Sequence, residues 1–157
     1  MTRVLLLLLL ANGTPVVAKK ILANRFSHPL DGGAKCHDGQ PLFGISKTIR
    51  GILLSVVATV IGGQVLGLGC KIGAVLGGTA MAGDLFSSFL KRRLKLPASS
   101  RAVGLDQIPE SLFPLLACRR ALSLTTAETA AAVVTFFIGE ILISRILYKF
   151  RLRDRPY

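Results

Sequence analysis

One carboxylate, Asp84, lies in an apolar stretch long enough to be a membrane span, and a run of cations follows it directly. The surrounding segment reads GDLFSSFL, and the cations are Lys91, Arg92, Arg93 and Lys95. An unpaired carboxylate costs several kcal/mol inside a membrane, so an intramembrane acid is a functional candidate that needs a partner. The structural alternative is an ion pair with Lys91 or Arg92.

A second carboxylate, Asp106, stands where the next apolar stretch begins. If the two stretches form a helical hairpin, Asp84 and Asp106 flank one loop and meet five cations, Arg101 included. Such a cluster can anchor anionic lipid headgroups, and it can also neutralise phosphates in an active site. Mg²⁺ takes one or two carboxylates together with substrate phosphates, so the two aspartates suit a nucleotide–metal complex.

The segment before the second apolar stretch is rich in glycines that neighbour polar side chains. It contains PLDGG, DGQPLFG and SKTIRG, which place Asp31, Asp38 and Lys47 among exposed backbone N–H groups. These are ingredients of a phosphate cradle, although Asp-Gly and Gly-Gly pairs also mark ordinary turns. A Walker A motif is excluded because the upstream glycine spacing is wrong. His28 and His37 lack a metal-ligand pattern and are predicted to be solvated.

The composition indicates a membrane protein. Of the 157 residues 51% are hydrophobic, and the mean hydropathy is +0.57, yet the formal net charge is +12. Long uncharged runs separate the cations, which is typical of a membrane protein with basic loops and not of a nucleic-acid binder. The cysteines, Cys36, Cys70 and Cys118, have no paired spacing and are predicted to be packing residues.

Five apolar stretches are candidate membrane spans, and several are shorter than the roughly 20 residues that cross a bilayer core. They cover residues 4–18, 52–68, 72–90, 108–124 and 130–147. Short spans suit a compact bundle better than independent anchors. We therefore predict an all-α integral membrane protein, a single domain over residues 1–157 with about five transmembrane helices and loops at about 19–51 and 91–107.

The first stretch has two interpretations. Arg3, the poly-Leu run and the small residues that end at Ala18 resemble a signal peptide. However, Asn12 and Pro15 interrupt the apolar run, which favours a kinked half-helix that lines a membrane-buried cavity.

The distribution of Lys and Arg predicts the orientation. Segment 19–50 carries six, segment 91–101 carries five and the tail after residue 147 carries four, whereas the opposite side has four: Arg3, Lys71, Arg119 and Arg120. The positive-inside rule then places the loops and the C-terminus in the cytoplasm and the N-terminus outside, as a multi-pass protein of the cell membrane.

Taken in order, these segments resemble the CDP-archaeol synthase family of membrane cytidylyltransferases, which are related to phosphatidate cytidylyltransferases. The matching elements are ANGTP at 11–15, the turn at 29–33, residues 38–44, KTIRG at 47–51, GD at 83–84 with SFLKRR at 88–93, and LDQ at 105–107. SFLKR resembles the start of the phosphatidate enzymes' signature, but their later Lys-Asp pair and His-Gly-Gly segment are missing. The resemblance spans about residues 11–114.

The resemblance implies Mg²⁺-dependent transfer of CMP from CTP to a membrane lipid phosphate, giving a CDP-lipid and pyrophosphate for phospholipid synthesis. The lipid it implies is 2,3-bis-O-geranylgeranylglycerol phosphate, with phosphatidate or a similar lipid phosphate left open. The metal ligands would be Asp84 and Asp106. The catalytic cations would be Lys91, Arg92 and Arg93. The lipid phosphate would meet Ser88, Lys91 and Arg92. The nucleotide would be bound by Asn12, Asp31, Asp38, Lys47, Thr48 and Arg50.

Two other functions are weighed against this one. A CDP-alcohol phosphatidyltransferase is disfavoured because Lys35 stands where its motif requires Ala after Asp31-Gly32. A small membrane transporter or channel subunit would use Asp84 and Glu140 as intramembrane charges on a permeation route. Pyrophosphate release from CTP in the presence of lipid phosphate would support the enzyme, and ion flux without nucleotide turnover would support the transporter.

Overall fold

The computed structural model describes residues 1–23, 25–97, 100 and 102–149, without the side chain of Leu147. Five helices follow one another, and no strand occurs among the described residues, which confirms the all-α prediction. The helices are α1 Thr2–Leu22, α2 Ile49–Val65, α3 Cys70–Arg93, α4 Gln107–Cys118 and α5 Thr126–Lys149. Within the described residues, three stretches are long and apolar enough to cross a membrane: Thr2–Leu22, Cys70–Arg93 and Thr126–Ile146.

Helix α1 continues through Pro15 as a single element, so the prediction of a broken first span is wrong. Proline has no N–H, and the carbonyl four residues earlier, that of Ala11, loses its helical partner. The buried hydroxyl of Ser55 on α2 donates to this oxygen at 2.7 Å. The neighbouring helix thus replaces the missing bond, which is how prolines are tolerated in membrane helices.

Small residues let α2 and α3 approach closely. A Cβ atom on Gly73 would lie 2.2 Å from the Thr59 carbonyl oxygen, and one on Gly77 would lie 2.0 Å from the Thr59 hydroxyl. The glycines on this face of α3 therefore serve close packing against α2.

Helix α4 is shorter than the predicted fourth span, because it ends at Cys118 and not near residue 124. A turn follows, in which the Leu122 N–H donates to the Cys118 carbonyl at 2.9 Å. Thr125 and Glu128 then form a reciprocal cap that begins α5. Twelve helical residues rise only about 18 Å, so α4 does not span a bilayer core by itself.

The fold has two distinct ends. Loops 23–48 and 94–106 meet at the C-terminal end of α3, where Arg93 pairs with Asp38. At the other end, Arg3 lies beside Gly67 in the α2–α3 turn. Between the two ends a core is built from four helices, and its buried members are Val4, Leu7, Leu8, Leu76, Leu115, Cys118, Ala132 and Phe136. Arg101 and the tail beyond Lys149 lie outside the described residues.

Candidate active site

The Asp84 carboxylate is paired with the Lys47 ammonium, which reaches it from loop 23–48. Each side chain is about one-fifth exposed. Burial alone would lower the pKa of Lys47, but the carboxylates of Asp84, Glu110 and Asp106 together hold it above the ordinary value of 10.5. Lys47 is therefore a cation at neutral pH. It is the partner of Asp84 that the sequence alone did not identify.

A second pair lies beside the first. The Lys91 ammonium is 2.5 Å from an oxygen of Asp106, and their side chains are 10% and 21% exposed. Asp106 is the N-cap residue of α4, and its other oxygen accepts the Ala102 N–H at 3.1 Å. Because Lys47 interacts with Asp106 and Lys91 interacts with Asp84, the two pairs form one electrostatic unit.

Glu110 completes the cluster, although the sequence analysis assigned it no role. It is 8% exposed, and its carboxyl group lies within hydrogen-bonding reach of Asp84. Helix α4 comes this close because residue 83 is glycine, where a Cβ would stand 2.3 Å from the Pro109 carbonyl oxygen. The signal in the sequence was an acid four residues after Asp106, which helical geometry puts on the same face of an apolar helix.

Asn12 presents a further polar group near this level of the bundle. Its Nδ2 atom is buried, and it has no hydrogen-bond partner among the described residues. The adjacent Ala11 packs against Ala80 and Met81, one turn of α3 before Asp84. A buried amide donor without a partner is costly, which marks it as a group that a bound ligand can satisfy.

Loop 23–48 is folded around the Asp31 carboxylate. Its oxygens accept the N–H groups of Gly33, Phe43 and Gly44 at 3.1, 2.9 and 3.0 Å. Burial by itself would raise the pKa of Asp31, but these bonds favour the ionised form and lower the pKa below 3.8. Asp31 thus orders the segment that leads to Lys47.

Three other predicted ligands have structural partners. Arg92 donates to the Pro97 carbonyl at 2.9 Å, and Thr48 caps α2 by accepting the Gly51 N–H at 3.2 Å. Arg50 donates to the carbonyls of Ala23 and Arg25, beyond the end of α1. Ser88 is buried on α3, one turn beyond Asp84. The structure brings together Lys47, Asp84, Lys91 and Asp106. The side chains of Thr48 and Arg50 instead form hydrogen bonds with backbone groups.

The carboxylates fit a magnesium ion that is completed by a substrate. No group of three or more His, Cys, Asp or Glu side chains forms a metal site in the described part of the chain. Mg²⁺ does not require one, since it keeps waters and takes one or two carboxylates plus phosphates.

Known proteins resemble the chain over nearly its whole length. Residues 68–157 match the CarS-like CDP-archaeol synthase family. The chain is 33% identical to a CDP-archaeol synthase of Pyrobaculum calidifontis over 94% of its own length and 90% of the relative's. It is 32% identical to one from Sulfurisphaera tokodaii, over 95% and 90% of the two lengths.

A solved structure shares the fold. It belongs to an intramembrane enzyme for archaeal membrane lipid biosynthesis, with a TM-score of 0.76, 28% identity and coverage of 90% of both chains. The sequence relatives and the solved structure thus each match at least 90% of the chain. The chain therefore belongs to the CDP-archaeol synthase family.

Proposed function

We propose that the pairs Lys47–Asp84 and Lys91–Asp106 form the site where CMP passes from CTP to a lipid phosphate. Family membership makes the chain a CTP-dependent lipid-phosphate cytidylyltransferase. The observation that carries the assignment of the site is the gathering of two cations and three acids where α3, α4 and loop 23–48 meet. Chemistry of this kind depends on positioning and charge neutralisation more than on a covalent nucleophile.

In the proposed reaction an oxygen of the lipid phosphate attacks the α-phosphorus of CTP. A phosphorus–oxygen bond to the lipid forms, the bond between the α- and β-phosphates breaks, and pyrophosphate leaves. Asp84 and Asp106 would hold magnesium, which when bound neutralises charge on the reacting phosphates. Lys47 would hold the triphosphate, and Lys91 would neutralise the lipid phosphate.

The surrounding residues prepare this site for CTP. Asn12 would donate its unpartnered amide to a phosphate oxygen. Asp31 would act indirectly, by ordering the glycine-containing turn that comes before Lys47.

The acceptor we propose is a lipid of the archaeol type, because the relatives are CDP-archaeol synthases. We also propose that the end of the bundle with loops 23–48 and 94–106 faces the cytoplasm. The support is the count of Lys and Arg, with six in segment 19–50 and five in segment 91–101 against four at the opposite end. CTP would then reach the site from the cytoplasm and the lipid from the membrane plane.

The test uses the purified full-length chain with CTP, Mg²⁺ and a lipid phosphate. We expect pyrophosphate release and a CDP-lipid of the corresponding mass, with an unsaturated archaeol-type phosphate preferred over phosphatidate. Equal use of phosphatidate would contradict the proposed acceptor but not the reaction. No CDP-lipid with either acceptor, under conditions where the protein stays folded, would overturn the proposed function.

A further inference from the structure

We propose that Arg93 is a positioning residue, which fastens the turn at residues 38–41 to the end of α3 and thereby sets Lys47 beside Asp84. We call this set of contacts the Arg93 latch. The role rests on the proposed function of the Lys47–Asp84 pair. It differs from the phosphate contact that the run of cations at 91–93 first indicated.

The donors of Arg93 are directed at one turn of loop 23–48. Nη1 donates to the Asp38 carboxylate at 2.6 Å, and Nη2 donates to the carbonyls of Gln40 and Pro41 at 3.3 and 2.8 Å. The guanidinium also lies over the Phe89 ring, 5.1 Å from its centroid. An exposed ion pair adds little alone, but a planar fork with carbonyl partners fixes a definite geometry.

The turn is shaped to receive this fork. Asp38 also accepts the Gln40 N–H at 3.0 Å, and the Cys36 N–H donates to the Gln40 carbonyl at 2.9 Å. Lys35 and Pro41 form an isolated antiparallel bridge at its base. The turn is therefore a small closed unit that Arg93 holds as a whole.

The latch limits where Lys47 can go. Arg93 and Asp84 are nine positions apart on α3, about 14 Å along the helix axis. The six steps along the chain from Pro41 to Lys47 reach at most about 22 Å when fully extended, and Asp31 holds two residues of this segment, Phe43 and Gly44. The segment is thus held along its length, by Arg93 at its start, by Asp31 in its middle and by the Lys47 N–H, which donates to the Gly44 carbonyl at 3.1 Å. The latch therefore helps to set the position of the Lys47 ammonium.

Arg93→Met and Asp38→Ala test this role in the full-length protein, alone and combined. Methionine keeps an unbranched stem against Phe89 but removes every donor. The first readout is trypsin cleavage after Lys35, an exposed residue in the held turn, followed by mass spectrometry. We expect cleavage about tenfold faster in Arg93→Met, since the lost bonds involve a charged donor. Arg120→Met, at the opposite end of the bundle, serves as the control and should cleave at the wild-type rate.

The second readout is the dependence of CTP turnover on CTP concentration. A loosened loop lowers the fraction of competent protein, so KM for CTP should rise about tenfold while kcat changes less. The KM for CTP of the double variant should rise no further than that of either single variant, because both substitutions remove the same set of contacts.

The two readouts distinguish a positioning role of Arg93 from a contact with a phosphate. Unchanged cleavage after Lys35 in a folded Arg93→Met protein overturns the latch. Lower kcat with unchanged cleavage, and losses that multiply in the double variant, would assign Arg93 to a phosphate instead. If the wild-type chain makes no CDP-lipid, the proposed function fails, and the cleavage assay still decides whether Arg93 holds the loop.

Discussion

At the scale of single residues, three neighbouring cations of similar chemistry have three different partners. Lys91 faces Asp106 in the site, Arg92 holds the Pro97 carbonyl of loop 94–106, and Arg93 holds the turn of loop 23–48. Successive residues on a helix point about 100° apart, so one run of cations serves separate faces. Charge alone therefore does not tell which cation faces the acidic cluster, whereas the contacts of each side chain do.

Lys47 is the loop residue on which the site depends most. Lys47→Met removes the cation that balances Asp84 and Glu110, and we expect CTP turnover to fall by about 100-fold or more. Lys35→Met removes a cation from an exposed position of the same loop and should leave turnover within about twofold, as for surface substitutions. The measurement is pyrophosphate release at matched protein concentration. Similar losses in both variants would mean that the overall charge of the loop matters and not the Lys47–Asp84 pair.

At the scale of helices, hydroxyls and glycines fix the relative positions of the elements. Ser55 supplies the hydrogen bond that Pro15 cannot make to the Ala11 carbonyl in α1. Gly83 leaves room for α4, which brings Glu110 close to Asp84. Interhelical hydrogen bonds and small residues matter in a membrane because the hydrophobic effect does not drive helices together there. The site is therefore assembled by helix contacts that contain no catalytic group.

The Ser55–Ala11 bond can be tested by a double substitution. Ser55→Ala should destabilise the protein by about 1–3 kcal/mol, because the buried Ala11 carbonyl loses its donor. Adding Pro15→Ala should recover most of this loss, since the new N–H at position 15 can donate to the same carbonyl. Thermal unfolding in one detergent measures both effects. If the two substitutions lower the thermal stability additively, Ser55 does not replace the hydrogen bond that proline removes.

Gly83 and Gly78 form a matched pair on α3. An added Cβ at Gly83 would stand 2.3 Å from the Pro109 backbone, whereas one at Gly78 has no heavy atom within 4 Å. Gly83→Ala should therefore force α3 and α4 apart and reduce both turnover and thermal stability. Gly78→Ala should preserve both properties. Full activity in a stable Gly83→Ala protein would contradict the close approach as a requirement of the site.

At the scale of the whole molecule, the charged end of the bundle is the end where the chemistry is placed. Of the two loops that face the cytoplasm in our proposal, one carries Lys47 and the other carries Asp106. Helix α3 carries Lys91 near its end and Asp84 about 14 Å from that end. A lipid phosphate at the membrane surface and a nucleotide from the cytoplasm can meet at that depth. The same cations favour this orientation through the positive-inside rule.

Cysteine labelling tests the orientation. In a variant without its native cysteines, Lys35→Cys and Arg120→Cys place thiols at exposed positions of opposite ends. We expect a membrane-impermeant maleimide to label Arg120→Cys on intact cells and Lys35→Cys only after permeabilisation. The reverse pattern would contradict a cytoplasmic site. Labelling of both variants on intact cells would show that the membrane barrier is incomplete. The experiment would then be repeated with sealed vesicles of known sidedness.

Much of the fold and part of the site could be predicted from the sequence. Apolar stretches located all five helices, and the position of Asp84 within one of them pointed to the charged cluster that the structure brings together. The family, the enzyme class and the helical membrane fold are confirmed. The early end of α4 was missed because Ala121, Leu122 and Leu124 extend the apolar stretch beyond Arg119 and Arg120, although the helix already stops before this pair of arginines.

The partner of Asp84 could not be predicted, for a physical reason. Lys47 is 37 residues away along the chain, and loop folding around Asp31 decides where it lies. Thr48 and Arg50 share its motif, yet they serve α2 and the end of α1, because adjacent residues at a helix start point in different directions. The motif therefore identified the segment that meets Asp84, and the folding of the loop decides which of its side chains does so.

The most direct test of the site is turnover by Asp84→Asn, measured as conversion of labelled CTP to CDP-lipid by the purified protein. Asparagine has the same shape but cannot balance Lys47 or bind magnesium as an anion, so we predict product below about one-hundredth of wild type. The variant should elute as a folded protein in detergent, and Arg120→Gln at the opposite end should keep wild-type turnover. Near-normal turnover by Asp84→Asn would contradict the assignment of CMP transfer to this cluster.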